Sequence, residues 1–192
     1  MPRSFYERSP EIVARALLGK LIVRRLAGQR LVGRITETEA YLGEADPASH
    51  AYRGQSPRNA VLFGPPGRTY VYLIYGLHYC LNFSCHSKGR AGGVLIRALE
   101  PMEGISRMAV HRGLPTVRSA RQLAGGPGRL CQAFQITRSR DHDIDVTRPS
   151  STIRVVDDGR AAGKVVVTAR IGLSKAVDLP LRFVLTPRKA LR

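Results

Sequence analysis

The sequence predicts an α+β domain built around an antiparallel or mixed β-sheet with a few peripheral helices, and three observations carry that prediction. Its periodic segments are mostly strands joined by short turns, with helices scattered among them rather than one after every strand. Residues 1–192 contain neither a repeat nor a linker, the extent of a single domain with a substantial core. A hydrophobic content of 43% against 23% charged residues is that of a soluble globular chain.

Ser9-Pro10-Glu11 reads as a helix start, with Ser as cap, Pro at the first position and Glu in the first turn. Ile12, Val13, Ala16 and Leu17 then give a helical apolar stripe, and Gly19 a stop. Leu21 to Leu26 and Arg30 to Tyr41 form a hairpin across Ala27-Gly28-Gln29. Asp46 to Arg68, with four prolines, three glycines and His50, is loop-like. Strands Thr69–Tyr75 and Leu77–Cys85 flank Gly76, so Tyr75 belongs at an exposed hairpin tip. Gly92 to Leu99 is a further strand bearing Arg97, and Pro101 to His111 is expected to be a helix opened by its proline. The run Gly125-Gly126-Pro127-Gly128-Arg129 introduces a short helix through Phe134. Short strands follow at Ile153–Val156, Val165–Ile171 and Leu181–Leu185.

Within the second strand, strict alternation places Leu31, Ile35, Glu37, Glu39 and Tyr41 on one face and Val32, Arg34, Thr36 and Thr38 on the other. An apolar face thus runs into two carboxylates and a tyrosine. For most isolated Glu-X-Glu pairs such a pattern is a solvated or charge-guarded strand end, but core-facing carboxylates are costly unless paired or put to work. Residues two apart on a strand lie about 6.6 Å apart along it. Neighbours on one strand do not readily flank a substrate, so one working carboxylate and one structural partner is the expectation.

A net charge of +17 calls for an anionic partner, nucleic acid or an anionic membrane. Its distribution sharpens this: Pro47 to Leu99 contains no Asp or Glu, and Gly104 to Arg140 none either while carrying seven arginines. Tyr41, Tyr70, Tyr72 and Tyr75 stand in or beside strands; most such tyrosines fill a core, and the functional alternative is a stacking platform for nucleobases. Three cysteines cannot pair completely and no signal peptide is evident, so an intracellular, reduced protein is expected, cytoplasmic or nuclear. The longest apolar run, Val71 to Phe83, is too short to span a bilayer. Cys80, Cys85, His78 and His86 lack any ligand spacing, so no metal is expected; the glycine-rich run lacks a P-loop ending, and no nucleophile elbow appears.

Six blocks in order resemble the alkyladenine (3-methyladenine) DNA glycosylases, the base-excision enzymes unrelated to the helix-hairpin-helix type. They are Glu37-Thr38-Glu39-Ala40-Tyr41-Leu42-Gly43, Ser56-Pro57-Arg58-Asn59, Tyr70-Val71-Tyr72-Leu73-Ile74-Tyr75-Gly76, Leu95-Ile96-Arg97-Ala98-Leu99-Glu100-Pro101, Gly126-Pro127-Gly128-Arg129-Leu130-Cys131-Gln132-Ala133 and Ala169-Arg170-Ile171-Gly172. The resemblance runs from about Phe5 to Leu185. It implies a curved sheet with a protruding hairpin pushed into the DNA minor groove. It also implies a monofunctional enzyme that flips damaged purines from duplex DNA and hydrolyses the N-glycosidic bond without a cofactor, acting as a monomer. By resemblance, Glu39 activates the water, Arg97 helps hold carboxylate and water, and the backbone carbonyl of Ile171 is a further water ligand. Tyr41 and Tyr72 sandwich the base, His50 meets its edge, Asn82 obstructs the amino group of guanine, and Tyr75 is the wedge. Leu77-His78 differs from some relatives, and Leu181 stands where a tryptophan is common. Two other readings compete: a non-catalytic nucleic-acid binder of this fold, and a carbohydrate hydrolase using Glu37 and Glu39, against which the charge argues.

Overall fold

A computed structural model describes residues 1–86, 89–161 and 163–186. After a short helix α1 (Arg3–Tyr6) comes α2 (Pro10–Leu17), where the Ser9 hydroxyl accepts from the Ile12 amide and Pro10 takes the first turn. Its buried face is Val13, Ala14 and Leu17, continued by Leu18; Ile12 is 50% exposed, so the stripe is rotated from the one expected. The strands are β1 (Leu21–Leu26), β2 (Gln29–Tyr41), β3 (Thr69–Ile74), β4 (His78–Ser84), β5 (Gly93–Glu103), β6 (Ile153–Val156), β7 (Val165–Thr168) and β8 (Arg182–Leu185). They form one curved sheet in the order β3-β4-β5-β2-β1-β6, with β8 paired to both β2 and β7. Every pairing between these strands is antiparallel.

The long strand β2 is the axis of the molecule. It lies against β5 along one edge; along the other it pairs with β1 through Arg34 and with β8 from Glu37 to Glu39. The pairing with β5 slips twice within a few residues. Ile35 faces Leu99 and Glu37 faces Ala98, leaving Thr36 as an extra residue; Thr38 then faces Ile96, leaving Arg97 extra on β5. Such bulges reverse the alternation of side chains. Leu31 and Ile35 therefore point into the core, as do Thr38 and Ala40 further on, while Glu37, Glu39 and Tyr41 occupy the opposite face. The expected single face from Leu31 to Tyr41 is thereby corrected, because the alternation changes register at Thr36.

Pro101 lies in β5 rather than opening a helix. It faces Gly33 beside a third register slip, where a residue without an N–H does least harm to a ladder. Helix α3 (Ile105–His111) starts after Gly104, whose φ is 80° and whose missing Cβ would lie 2.5 Å from Leu31. Helices α4 (Ala120–Ala124), α5 (Pro127–Ala133) and α6 (Arg138–Asp141) follow, α5 as expected from its Gly-Pro-Gly lead-in. Strand β7 ends at Thr168, short of the expected Ile171, so Ala169 to Gly172 leaves the sheet. The main core packs α2, Met108, Leu123, Leu130 and Phe134 against Ile22, Ile35, Val71, Leu81, Phe83, Val94, Ile96 and Phe183. A smaller cluster of Ala51, Val61, Leu62, Tyr70 and Ala91 anchors the loop between β2 and β3. Inside that loop the buried Asn59 donates to the carbonyls of His50 and Gly54, a physical reason for the Ser56-Pro57-Arg58-Asn59 block.

Candidate active site

The face of the sheet turned away from the core carries a row of directly opposed residues across five strands: Arg182, Glu39, Leu95, Asn82 and Tyr70. Arg97 joins this face from the bulge in β5, and Tyr72 one step along β3. Residues far apart in sequence thus meet because their strands are neighbours.

Glu39 is fully buried. Its Oε1 accepts from the Ile171 amide at 2.9 Å and lies 3.2 Å from Arg97 Nη1, and its Oε2 accepts from the Tyr41 hydroxyl at 3.0 Å. The resemblance gave Ile171 a role through its carbonyl; the contact seen is made by its N–H. Burial opposes the charge of Arg97, but Glu39 and Glu37 outweigh it and hold the guanidinium above its ordinary pKa. Burial, and then the Glu39 charge, push the Tyr41 phenol up, so it remains a hydrogen-bond donor at neutral pH.

One face of Tyr41 is covered by the Arg170 guanidinium, 4.6 Å from the ring centroid. Arg170 donates to both carboxylate oxygens of Asp46, at 2.5 and 2.9 Å, and to the Ala40 carbonyl at 3.0 Å. The segment after β7 is thereby tied to β2, which delivers the Ile171 amide to Glu39.

A second group lies along the same face. His50 Nδ1 is 2.8 Å from the Tyr70 hydroxyl, and its ring meets Tyr72 edge-on at 4.5 Å between centroids. Burial, then the nearby Arg58, lower the His50 pKa, which keeps the imidazole neutral at pH 7. Burial also raises the Tyr72 phenol, with smaller contributions from Cys80 and Tyr41. Asn82 Nδ2 donates to the Tyr70 carbonyl at 3.1 Å, which fixes the orientation of its amide. Tyr75 stands apart at the β3–β4 tip and is 85% exposed. Tyr75 and Gly76 both have positive φ, 53° and 66°, and the Leu77 amide donates to the Ile74 carbonyl across them, within a three-residue connection between the paired Ile74 and His78. Leu73 and Leu77 beside it are exposed as well.

The profile of the family described as methylpurine-DNA glycosylase matches residues 4–189. The chain belongs to that family. Among its relatives are proteins provisionally named 3-methyladenine DNA glycosylase from Koribacter versatilis, Carboxydothermus hydrogenoformans and Methanocella arvoryzae. The first is 53% identical, covering 96% of this chain and 88% of the relative. The second is 45% identical over 98% and 96%, and the third 47% over 95% and 88%. As a methylpurine-DNA glycosylase, the chain is a DNA repair hydrolase.

Several contacts of this candidate site escaped the sequence reading. Arg182 and Thr168 extend the charged cluster from β8 and β7, and Arg170 and Asp46 underlie Tyr41; Tyr70, read from sequence only as core filling or a base platform, is also the partner of His50. Of these, Arg170 and Tyr70 lie within the matched blocks; Arg182, Thr168 and Asp46 lie in none of them. A groove of about 790 Å³ opens beside Glu37, Arg97, Ile171 and Arg182 and is flanked by Arg34, Arg121 and Arg160. Among the described residues no group of three His, Cys, Asp or Glu could hold a metal ion, and no helix is long and apolar enough to cross a membrane.

Proposed function

We propose that this glycosylase extrudes alkylated or deaminated purines from duplex DNA and hydrolyses their N-glycosidic bond with an activated water, leaving an abasic site. The observation that carries the reading is the buried Glu39, held on three sides on the face that also bears Tyr41, Tyr72 and His50. A carboxylate offers about four acceptor directions. Three are taken, and the one left on Oε2 is where a water would sit. Glu39 takes a proton from that water as its oxygen bonds to C1′; the bonding pair of the glycosidic bond leaves with the base. The same negative charge offsets the positive charge building on the sugar.

With Arg170 against one face of Tyr41, a base stacks on the opposite face, with Tyr72 as the second wall, His50 at its edge and Asn82 in the pocket wall. Tyr75 fills the gap left in the duplex. A base inside a helix cannot be attacked at C1′, so extrusion is part of the chemistry. None of the five lysines lies in the blocks that build the site, so no Schiff base forms and no strand is cut. The enzyme acts as a monomer on damaged duplex DNA inside the cell.

The test is a strand-nicking assay on a duplex with one hypoxanthine or one ethenoadenine, with and without alkali. Cleavage only after alkali, lost by about 100-fold or more in Glu39→Gln, is the expected result. Cleavage without alkali would mean a lyase. Undiminished activity in Glu39→Gln would leave Glu39 without the base role.

A further inference from the structure

Glu37 has no part in the chemistry above, yet it is the hub of the charged cluster. Its Oε1 accepts from Arg97 Nε at 2.8 Å and from Arg182 Nε at 2.6 Å, while Arg97 turns Nη1 towards Glu39 at 3.2 Å. Arg182 is held in turn through Nη1 to Thr168 Oγ1 at 3.0 Å. A guanidinium presents its donors in a rigid planar fork, so fastening Nε decides where Nη1 points. The paired bulges at Thr36 and Arg97 make this possible, since they place Glu37, Glu39 and Arg97 on one face.

The charges are balanced as well as the geometry. Two carboxylates, Glu37 and Glu39, meet two guanidiniums, Arg97 and Arg182. Around them stand the Tyr41 hydroxyl, the Cys80 thiol of β4, Arg170, which Asp46 neutralises, and, along the groove beside Glu37, Arg34, Glu100, Arg121 and Arg160. Without Glu37, the positive charge facing Glu39 would lack one of its counter-charges and would make the Glu39 carboxylate a weaker proton acceptor.

We infer that Glu37 is a positioning residue for the glycosylase reaction: it orients Arg97 across Glu39 and offsets the positive charge that would weaken Glu39 as a base. This rests on Glu39 being the general base.

The experiment measures single-turnover excision of hypoxanthine across the acid-to-neutral range, with affinity for a duplex carrying an uncleavable abasic analogue. The full chain is used as wild type, Glu39→Gln, Glu37→Gln and Glu37→Asp. Glu37→Gln excises about 10- to 100-fold more slowly, its affinity is unchanged, and the acid limb of its pH–rate profile moves to lower pH. Glu37→Asp, which keeps the charge on a shorter stem, retains the wild-type acid limb and stays slow. A wild-type rate in Glu37→Gln, or a slower rate with an unmoved limb, overturns the inference, because a merely structural ion pair would not shift the limb. If circular dichroism shows Glu37→Gln to be unfolded, Arg182→Gln replaces it. That variant removes the opposite charge and moves the limb to higher pH; an unmoved limb there overturns the inference equally. Full activity in Glu39→Gln would instead remove the general-base reading itself, whatever Glu37→Gln does.

Discussion

Arg170 carries its charge into a position with no solvent, and Asp46 meets it there with an equally buried side chain. Burial alone would raise the Asp46 carboxyl, but hydrogen bonds from Arg170 and from the Ala48 and Leu42 amides outweigh it and hold the group below its ordinary value. Removing one partner of such a pair strands a buried charge, so Asp46→Asn is expected to cost about 3 kcal/mol or more. The pH dependence follows from the sign of the shift. As pH falls, the unfolded chain protonates this group first, so its contribution is present above about pH 4 and lost as pH falls through the lower folded value. Thermal melts of wild type and Asp46→Asn over that range check this: the difference in Tm should shrink on acidification. A constant difference would mean that the ionised pair contributes nothing to the fold.

Among the elements, the β3–β4 hairpin is legible from sequence because its turn chemistry is local. Gly76 supplies one of two positive-φ positions, and the alternating flanks supply the strands. Tyr75 occupies the other, exposed at the end of a stem whose core-side residues Val71 and Leu81 are fully buried. Tyr75→Ala is expected to leave the fold intact and weaken the extruded-base complex by a few kcal/mol. A fluorescent base analogue next to the lesion reads this as lost unstacking. Undiminished fluorescence would assign the wedge to another residue. Strand β2 shows the opposite case: its strand character was plain, but its two-faced geometry was not. The bulge at Thr36 depends on what β5 and β8 offer as partners.

Over the whole molecule, the feature that bears on DNA binding is the net charge of +17. Both acid-free stretches fall on the hairpin, the His50 loop and the helices α3 to α6. The arginines flanking the groove beside Glu37 add Arg34 and Arg160 from other parts of the chain. Binding to duplex DNA should therefore release counterions, with affinity falling about 1,000-fold between 50 and 200 mM salt for a footprint of some six phosphates. Titrations at several salt concentrations measure the slope. A flat response would mean that the basic surface does not follow the phosphate backbone.

The sequence by itself determined the α+β class, helix α2 from Ser9-Pro10, both tight hairpins and the basic character. Each of these depends on neighbouring residues or on composition alone. Through the family resemblance it also marked Glu39, Tyr41, His50, Tyr72, Tyr75, Asn82, Arg97 and Ile171, without their geometry. Only the tertiary structure decided that Pro101 continues a strand, that Ile171 turns its amide to Glu39, and that Arg182 comes from a distant strand to complete the cluster. The reason is register. Which residues oppose one another across a sheet is settled by strand pairing and bulges between distant segments, and a single slip sends a side chain to the other face.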